Sequence, residues 1–317
     1  MLWLFRTLIL YESKYGSTEE VAKKLALILG PAKYCRVNEF KEEYKEFDLF
    51  IIGSPVYEES VDEKIIKFAL NNADWLQNKK VVLFCTCLSK VRSTVYLSGL
   101  KKLLKRSVLL ETAFGGKFDI EKLDSSDHDS IVSFMKTLHI PVKSMDITNN
   151  AEVIDYALKI KNLKDSFINS VPETELKTEV ESFLYSHNTC VLCTGFNENV
   201  RGTPIEYMYK DGYLYFLTEG GEKFANILQN KNVSISIFES YKSMADLSGM
   251  QIKGKAEIVI QDDEYNQILS YKGINYETLK RYPINMNILK VRVLKAEFLY
   301  SKFKSMGYEA RQILNFK

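Results

Sequence analysis

Apolar residues in the first half of the chain fall into short unbroken runs separated by stretches with helical spacing. Leu8 to Tyr11 reads as a strand, and 17–29 repeats apolar positions at Val21, Leu25, Ile28 and Leu29, as an amphipathic helix does. Asp48 to Ser54 is a continuous apolar run ending in Gly53-Ser54-Pro55. The pattern then predicts a helix near 61–72, a buried strand over Lys80 to Thr86, a helix over Val91 to Leu104, a strand over Ser107 to Phe114, and helices over 127–138 and 150–164. Strands alternating with helices at this spacing imply right-handed βαβ units, hence an α/β doubly wound parallel sheet covered on both faces.

Near residue 171 the texture changes. Val171-Pro172-Glu173-Thr174 breaks the chain, and a new helix starts at Thr174. Short strands with period-two alternation follow. Tyr207 to Phe216 holds Asp211-Gly212 between two aromatic runs, a strong hairpin signal. Val233 to Phe238, Gln251 to Ile260 and Ile288 to Tyr300 read as further strands, and many short strands with few helices suggest a small closed barrel. Two domains are therefore expected, 1–165 and 172–317, which also suits a length of 317 residues.

Charge is balanced, 43 Lys+Arg against 41 Asp+Glu, so nothing electrostatic favours nucleic acid as a partner. The apolar run 2–11 is too short to span a bilayer, and Arg6 followed by Glu12 and Lys14 does not fit a secretory leader; a buried strand and a cytoplasmic location are expected. Five cysteines make an odd number, which argues against a disulfide scaffold. Cys190 and Cys193 have a CxxC spacing, but on a strand positions i and i+3 face opposite sides and no second pair completes a zinc site. With His128, His139 and His187 scattered, no metal is expected.

Ser13-Lys14-Tyr15-Gly16-Ser17-Thr18 joins the first strand to the first helix. Backbone N–H groups and the positive end of the helix dipole suit a phosphate there, with hydroxyls adding donors; the same residues equally suit a plain helix cap at Ser17 or Thr18. The segment resembles the flavodoxin phosphate loop, T/S-x-T-G-x-T, through Ser13, Gly16 and Thr18, with Tyr15 departing from the usual hydroxyl residue. Gly53-Ser54-Pro55-Val56-Tyr57 and Thr86-Cys87-Leu88-Ser89 stand where flavodoxins flank the isoalloxazine ring. Together with Asn78 to Phe84, Phe114-Gly115-Gly116-Lys117-Phe118-Asp119 and Leu123, residues 5–163 look closest to the branch containing menaquinone-dependent protoporphyrinogen oxidase. The resemblance implies an FMN site from Ser13, Tyr15, Gly16, Ser17, Thr18, Ser54, Pro55, Val56, Tyr57, Thr86, Cys87, Leu88 and Ser89, with Tyr57 stacking on the ring.

Over most of 173–300 the chain resembles the pyridoxamine 5′-phosphate oxidase-like split barrel, carried by Arg201 to Tyr207, by Tyr215 to Ile227 with its Gly220-Gly221 turn, by Asn230 to Ile237 and by Gly249 to Ile258. A second FMN is implied, with Thr218 and Lys223 at its phosphate, Thr203, Pro204 and Ile205 at the ring edge and Arg201 reaching phosphate or substrate. Members of this superfamily also lose the flavin or bind haem or F420. In such barrels the pocket usually lies between two chains, so a homodimer is implied. Its exposed patch is expected from surplus apolar residues on 207–217 and 288–300, since a lone barrel buries one face of each strand.

The resulting expectation is an FMN-dependent oxidoreductase that works with a redox partner protein or a small-molecule donor or acceptor. No Ser-His-Asp arrangement competes as a catalytic centre, and no acid or base stands out. A non-enzymatic electron carrier and a tetrapyrrole-handling protein are the alternatives.

Overall fold

The structure, a computed structural model, describes residues 5–90, 93–243 and 245–316. The start of the apolar run 2–11 and the first two residues of the helix expected over 91–104 lie outside the described residues. Contacts divide the chain into two units, one ending at Phe167 and the other beginning at Ile168.

In the first unit the strands are β1 (Thr7–Tyr11), β2 (Ala32–Arg36), β3 (Leu49–Tyr57), β4 (Ser60–Val61), β5 (Lys80–Cys87), β6 (Val108–Gly115), β7 (Lys117–Phe118) and β8 (Met145–Asp146). The helices are α1 (Ser17–Leu29), α2 (Glu63–Asn71), α3 (Ala73–Leu76), α4 (Ser93–Tyr96), α5 (Ser98–Leu104), α6 (Ser125–Thr137) and α7 (Asn150–Asp165). The helix expected as one piece to Leu104 is interrupted at Leu97. The main sheet has the order β2-β1-β3-β5-β6, all parallel, with β4 folded back antiparallel on β3. β2 carries no apolar run because it is the sheet edge, where only Cys35 is buried.

Alternation along the central strands feeds two cores. Leu8, Leu10, Phe50, Ile52, Leu83 and Cys85 pack under α2 and α5, while Ile9, Ile51, Val82 and Phe84 pack under α1 and α7. Lys164 of α7 is buried and its Nζ donates to the Leu29 carbonyl (2.8 Å) and to Thr7 Oγ1 (3.3 Å), so a cation closes the C-terminus of α1. Between β6 and α7 the chain leaves the sheet: β7 and β8 pair antiparallel at the base of an excursion that carries α6. The helix expected at 127–138 is thus no sheet crossover.

The second unit comprises α8 (Glu173–Ser186), β9 (Thr189–Phe196), β10 (Asn199–Glu206), β11 (Met208–Lys210), β12 (Tyr213–Thr218), α9 (Glu222–Gln229), β13 (Asn232–Phe238), β14 (Ser248–Ile258), α10 (Asp262–Tyr271), α11 (Tyr276–Leu279), β15 (Asn287–Tyr300), α12 (Lys302–Ser305) and β16 (Arg311–Asn315). One antiparallel sheet runs β10-β9-β13-β14-β15-β12-β11, with β16 on β15. Asp211 (φ 48°) and Gly212 (φ 81°) make the hairpin turn as expected, both in the left-handed region that such two-residue turns require. Cys190 is buried on the core face of β9 and Cys193 lies on the other face.

The expected surplus apolar patch is absent. Tyr207, Tyr209, Leu289, Val291 and Phe298 belong to the main core with α8, while Tyr215 and Ile288, on the opposite face, are buried under α10 and α11. A lone barrel would leave this face bare, but these helices cover the second face of β12 and β15 within the same chain.

On β15, Glu297 accepts from Arg311 Nε (3.2 Å) and pairs with Lys295 (3.0 Å). Burial pushes its carboxyl up, but the two cations outweigh burial and hold it at about 2, below the ordinary 4.5. A depressed folded value means the ionised form stabilises the fold above the unfolded-state value, and this is lost as pH falls towards 2. The shift corresponds to at most about 3 kcal/mol. Urea unfolding between these limits is expected to show that loss in the wild type and a smaller one in Glu297→Gln; parallel pH profiles would contradict it.

Candidate functional site

A cavity of ≈ 520 Å³ opens at the carboxyl ends of β1, β3 and β5, where open α/β sheets bind ligands. Ser13, Tyr15, Ser17, Thr18, Pro55, Val56, Tyr57, Thr86, Cys87, Leu88 and Ser89 line it, so three segments far apart in sequence meet at one wall. Gly16 and Ser54 are not on that wall. Gly16 is the N-cap of α1 with φ 91°, a conformation that suits glycine. Ser54 is buried and holds the hairpin below, accepting from the Asp62 amide (2.8 Å) and donating to the Pro55 carbonyl (2.8 Å). Residues 53–57 continue β3 itself, pairing with β5 as far as Pro55 and with β4 beyond. Glu58 and Glu59 turn that hairpin at φ 47° and 63° and also face the cavity.

Of the two readings of residues 13–18, a side-chain helix cap is not what forms: no side chain caps α1. Ser13 Oγ accepts from the Gly16 amide (3.1 Å), which leaves its own proton to donate. Thr18 Oγ1 and Thr86 Oγ1 share one hydrogen bond (2.8 Å), so one of their two protons remains. Ser17 is committed: its hydroxyl donates to the Lys117 carbonyl (2.9 Å) and accepts from the Lys117 amide (3.0 Å). Lys117 also lines the cavity, but its ammonium pairs with Glu20. Among the described residues, hydroxyls and the positive end of α1 are the groups here that could hold an anion without first breaking an ion pair.

The far wall comes from the excursion after β6: Lys117, Phe118, Leu123, Asp127, Ile131 and Phe134 all face in. Asp127, Ile131 and Phe134 lie at helical spacing on one face of α6. Leu123 and the segment 114–119 stand out in the sequence only through family resemblance, and α6 gives no local sign of facing a ligand. Two links tie the excursion to the loop after β1. One is the Ser17–Lys117 exchange; in the other, Tyr15 Oη donates to Asp127 (2.6 Å) and Lys14 pairs with Asp127 (2.6 Å) and with Asp124. Hydrogen bonds to these two carboxylates push the Lys14 ammonium up.

Cys85 and Cys87 share one face of β5, and only Cys87 reaches the cavity. Cys87 Sγ donates to the Ser89 carbonyl (3.2 Å), and the neighbouring Cys87 thiol together with burial push the Cys85 thiol up.

In the second unit, Arg201 on β10 pairs with Glu222 in the first turn of α9, next to Lys223. Lys223 is buried and donates to the Gly220 carbonyl; burial, then the nearby Arg201, push its ammonium down. Thr218 is buried at the end of β12, and Asn287 Nδ2 donates to its carbonyl (3.4 Å). Thr203 Oγ1 on β10 is buried without a partner. Pro204 is exposed and Ile205 half-buried on the same strand. Arg201 and Lys223 thus stand together, and a buried hydroxyl nearby in sequence lacks the partner such groups normally have.

The flavodoxin domain family model matches residues 8–141, and the pyridoxamine 5′-phosphate oxidase model matches residues 176–300. The chain is a flavodoxin domain followed by a pyridoxamine 5′-phosphate oxidase-like split-barrel domain. No curated protein matches the chain. Among solved structures it is similar to general stress protein 26 of Bacillus anthracis (21% identity, 44% of this chain and 98% of that one, TM-score 0.33). It is similar also to the heme storage protein HutZ of Vibrio cholerae (16%, 37% and 89%, TM-score 0.32) and to two-electron reduced Megasphaera elsdenii flavodoxin (20%, 34% and 84%, TM-score 0.31). Among the described residues, no helix is long and apolar enough to cross a membrane, and no cluster of His, Cys, Asp and Glu suits a metal ion.

Proposed function

We propose that the chain is an FMN-dependent oxidoreductase with FMN in the first-domain cavity. The observation that carries this reading is the cavity itself: spare hydroxyl protons of Ser13 and the Thr18–Thr86 pair beside the uncapped start of α1, continuous with an apolar enclosure. Bound flavin would supply one- or two-electron chemistry. The chain's own residues do the rest. Ser13, Thr18 and Thr86 donate to the phosphate, Pro55, Val56 and Leu88 enclose the ring, and Tyr57 presents an aromatic surface. Burial keeps the Tyr57 hydroxyl protonated. The apolar wall of Phe118, Leu123, Ile131 and Phe134 favours a small-molecule reaction partner over a bare electron carrier, because it encloses space beside the ring position.

A second FMN is proposed at Arg201, Thr203, Pro204, Ile205, Thr218 and Lys223. Its phosphate would take over the Lys223 ammonium from the Gly220 carbonyl, and the ligand would satisfy Thr203. Acid denaturation of purified protein, with chromatography of the released flavin, is expected to yield FMN at up to two per chain. FAD, or protein that takes up no FMN, overturns the reading; a stoichiometry of one removes the second site only. The absence of a G-x-G-x-x-G loop motivates the monophosphate.

A homodimer through the second domain belongs to the same proposal, now on different grounds. β10 is an edge strand with most positions exposed, including Val200 at 79%, and Phe238 at the end of β13 is 64% exposed. Light scattering on the full-length chain is expected to give twice the 36.6 kDa chain mass. A monomer at micromolar concentration contradicts it.

A further inference from the structure

Tyr15 is the position where the loop after β1 departs from the flavodoxin pattern, and it is built into a relay. Its hydroxyl donates to Asp127 of α6 (2.6 Å) and accepts from the Asp124 amide (3.2 Å). Its ring meets Tyr57 edge to face, with centroids 6.3 Å apart and planes at 80°. All three side chains line the cavity, and the Asp127 carboxylate is only 21% exposed. A tyrosine ring on a strand end has two soft torsions, and an edge-to-face neighbour contributes only about 0.5–1.5 kcal/mol. A hydrogen bond to a carboxylate is stronger, about 1.5–3 kcal/mol. Tyr15 is therefore anchored more strongly by Asp127 than by Tyr57, and Tyr57 packs on a ring held from α6.

We propose that Asp127 is a positioning residue: through the Tyr15 hydroxyl it fixes the packing of Tyr15 on Tyr57, and so sets how Tyr57 meets the ring in the cavity. This rests on the FMN reading above. It also gives α6 a task beyond enclosure, since its start holds the Tyr15 hydroxyl through Asp127 and the Asp124 amide.

An aromatic ring held against a flavin quenches its fluorescence, which reports Tyr57 directly. The measurement is emission per bound FMN in the full-length chain, counting only the quenching that Tyr57→Leu removes. Asp127→Ala and Tyr15→Phe are each expected to release most of that quenching. Their combination is expected to release no more than either alone. Asp127→Asn, whose amide oxygen still accepts from Tyr15, is expected to restore the wild-type value, which loosening of α6 alone would not predict. Wild-type quenching in Tyr15→Phe, additive effects of the two changes, or failure of Asp127→Asn to rescue overturns the proposal while leaving FMN binding intact. Tyr15→Phe removes one oxygen from a half-exposed loop side chain, so it remains informative if Asp127→Ala folds poorly. A wild-type chain that binds no FMN overturns the FMN reading, and this proposal with it.

Discussion

Replacing Ser13 and Thr18 together by alanine is expected to weaken FMN binding by about two to four powers of ten. Each hydroxyl that donates to a charged phosphate contributes about 1.5–3 kcal/mol, and each 1.4 kcal/mol is about tenfold in affinity. The different expectation for Ser17 rests on which hydroxyls keep a proton to donate. Ser13 uses its oxygen to accept from Gly16 and keeps its proton, whereas Ser17 spends both donor and acceptor on the Lys117 backbone. Thr18 shares one hydrogen bond with Thr86, so losing Thr18 also leaves the buried Thr86 hydroxyl without its partner. The two lysines described beside the cavity are already paired, Lys117 with Glu20 and Lys14 with Asp124 and Asp127. Titration of the full-length chain with FMN, followed by flavin fluorescence, measures the loss at the first site. An unchanged tight phase would refute the placement of the phosphate, whereas Ser17→Ala is expected to act by loosening the excursion rather than by removing a phosphate donor.

Gly115→Ala is expected to destabilise the first domain by about 1–3 kcal/mol or more, the range for forcing atoms into a filled space, while its neighbour Gly116→Ala stays near wild type. A Cβ on Gly115 would stand 1.9 Å from the backbone oxygen of Ile147, which has no rotamer by which to retreat. A Cβ on Gly116 meets nothing nearer than the Cys87 carbonyl oxygen at 3.6 Å, an ordinary contact. Removing a glycine also stiffens the unfolded chain, which favours the folded state by about 0.4–1 kcal/mol and offsets any small strain at 116. The clash at 115 lies where the excursion returns to the sheet, next to the hydrogen bond from the Ile147 amide to the Gly116 carbonyl (3.1 Å). The wall formed by Phe118, Asp127 and Ile131 should shift with it, so flavin affinity falls along with thermal stability. Equal stability of the two variants would show that the excursion is not seated against β6 as described.

The longer strands and most helices of the first domain, and several strands of the second, were legible because they depend on local signals. Continuous apolar runs such as Lys80 to Thr86 can only be strands buried on both faces, and Asp211-Gly212 supplies the backbone conformation its turn demands. The loop after β1 was legible as a ligand candidate for the same reason, since strand, glycine, hydroxyls and helix lie within a dozen residues. β2 was not, because an edge strand with one buried position leaves no apolar run. The burial of Tyr215 and Ile288 is not visible in their own strands, because α10 and α11 reach β12 and β15 from elsewhere in the sequence. The cavity wall from α6 was missed too. Asp127, Ile131 and Phe134 look like any amphipathic helix until the β7–β8 pairing swings them over the ends of β1, β3 and β5. Spacing and residue type by themselves determined an α/β first half and a β-rich second half; the naming of both folds and the choice of a phosphate over a plain helix cap in the first loop came from family resemblance. Tertiary structure alone decided which hydroxyl keeps a proton to give and which side chains close the cavity, because both depend on partners about 70 to 110 residues away along the chain.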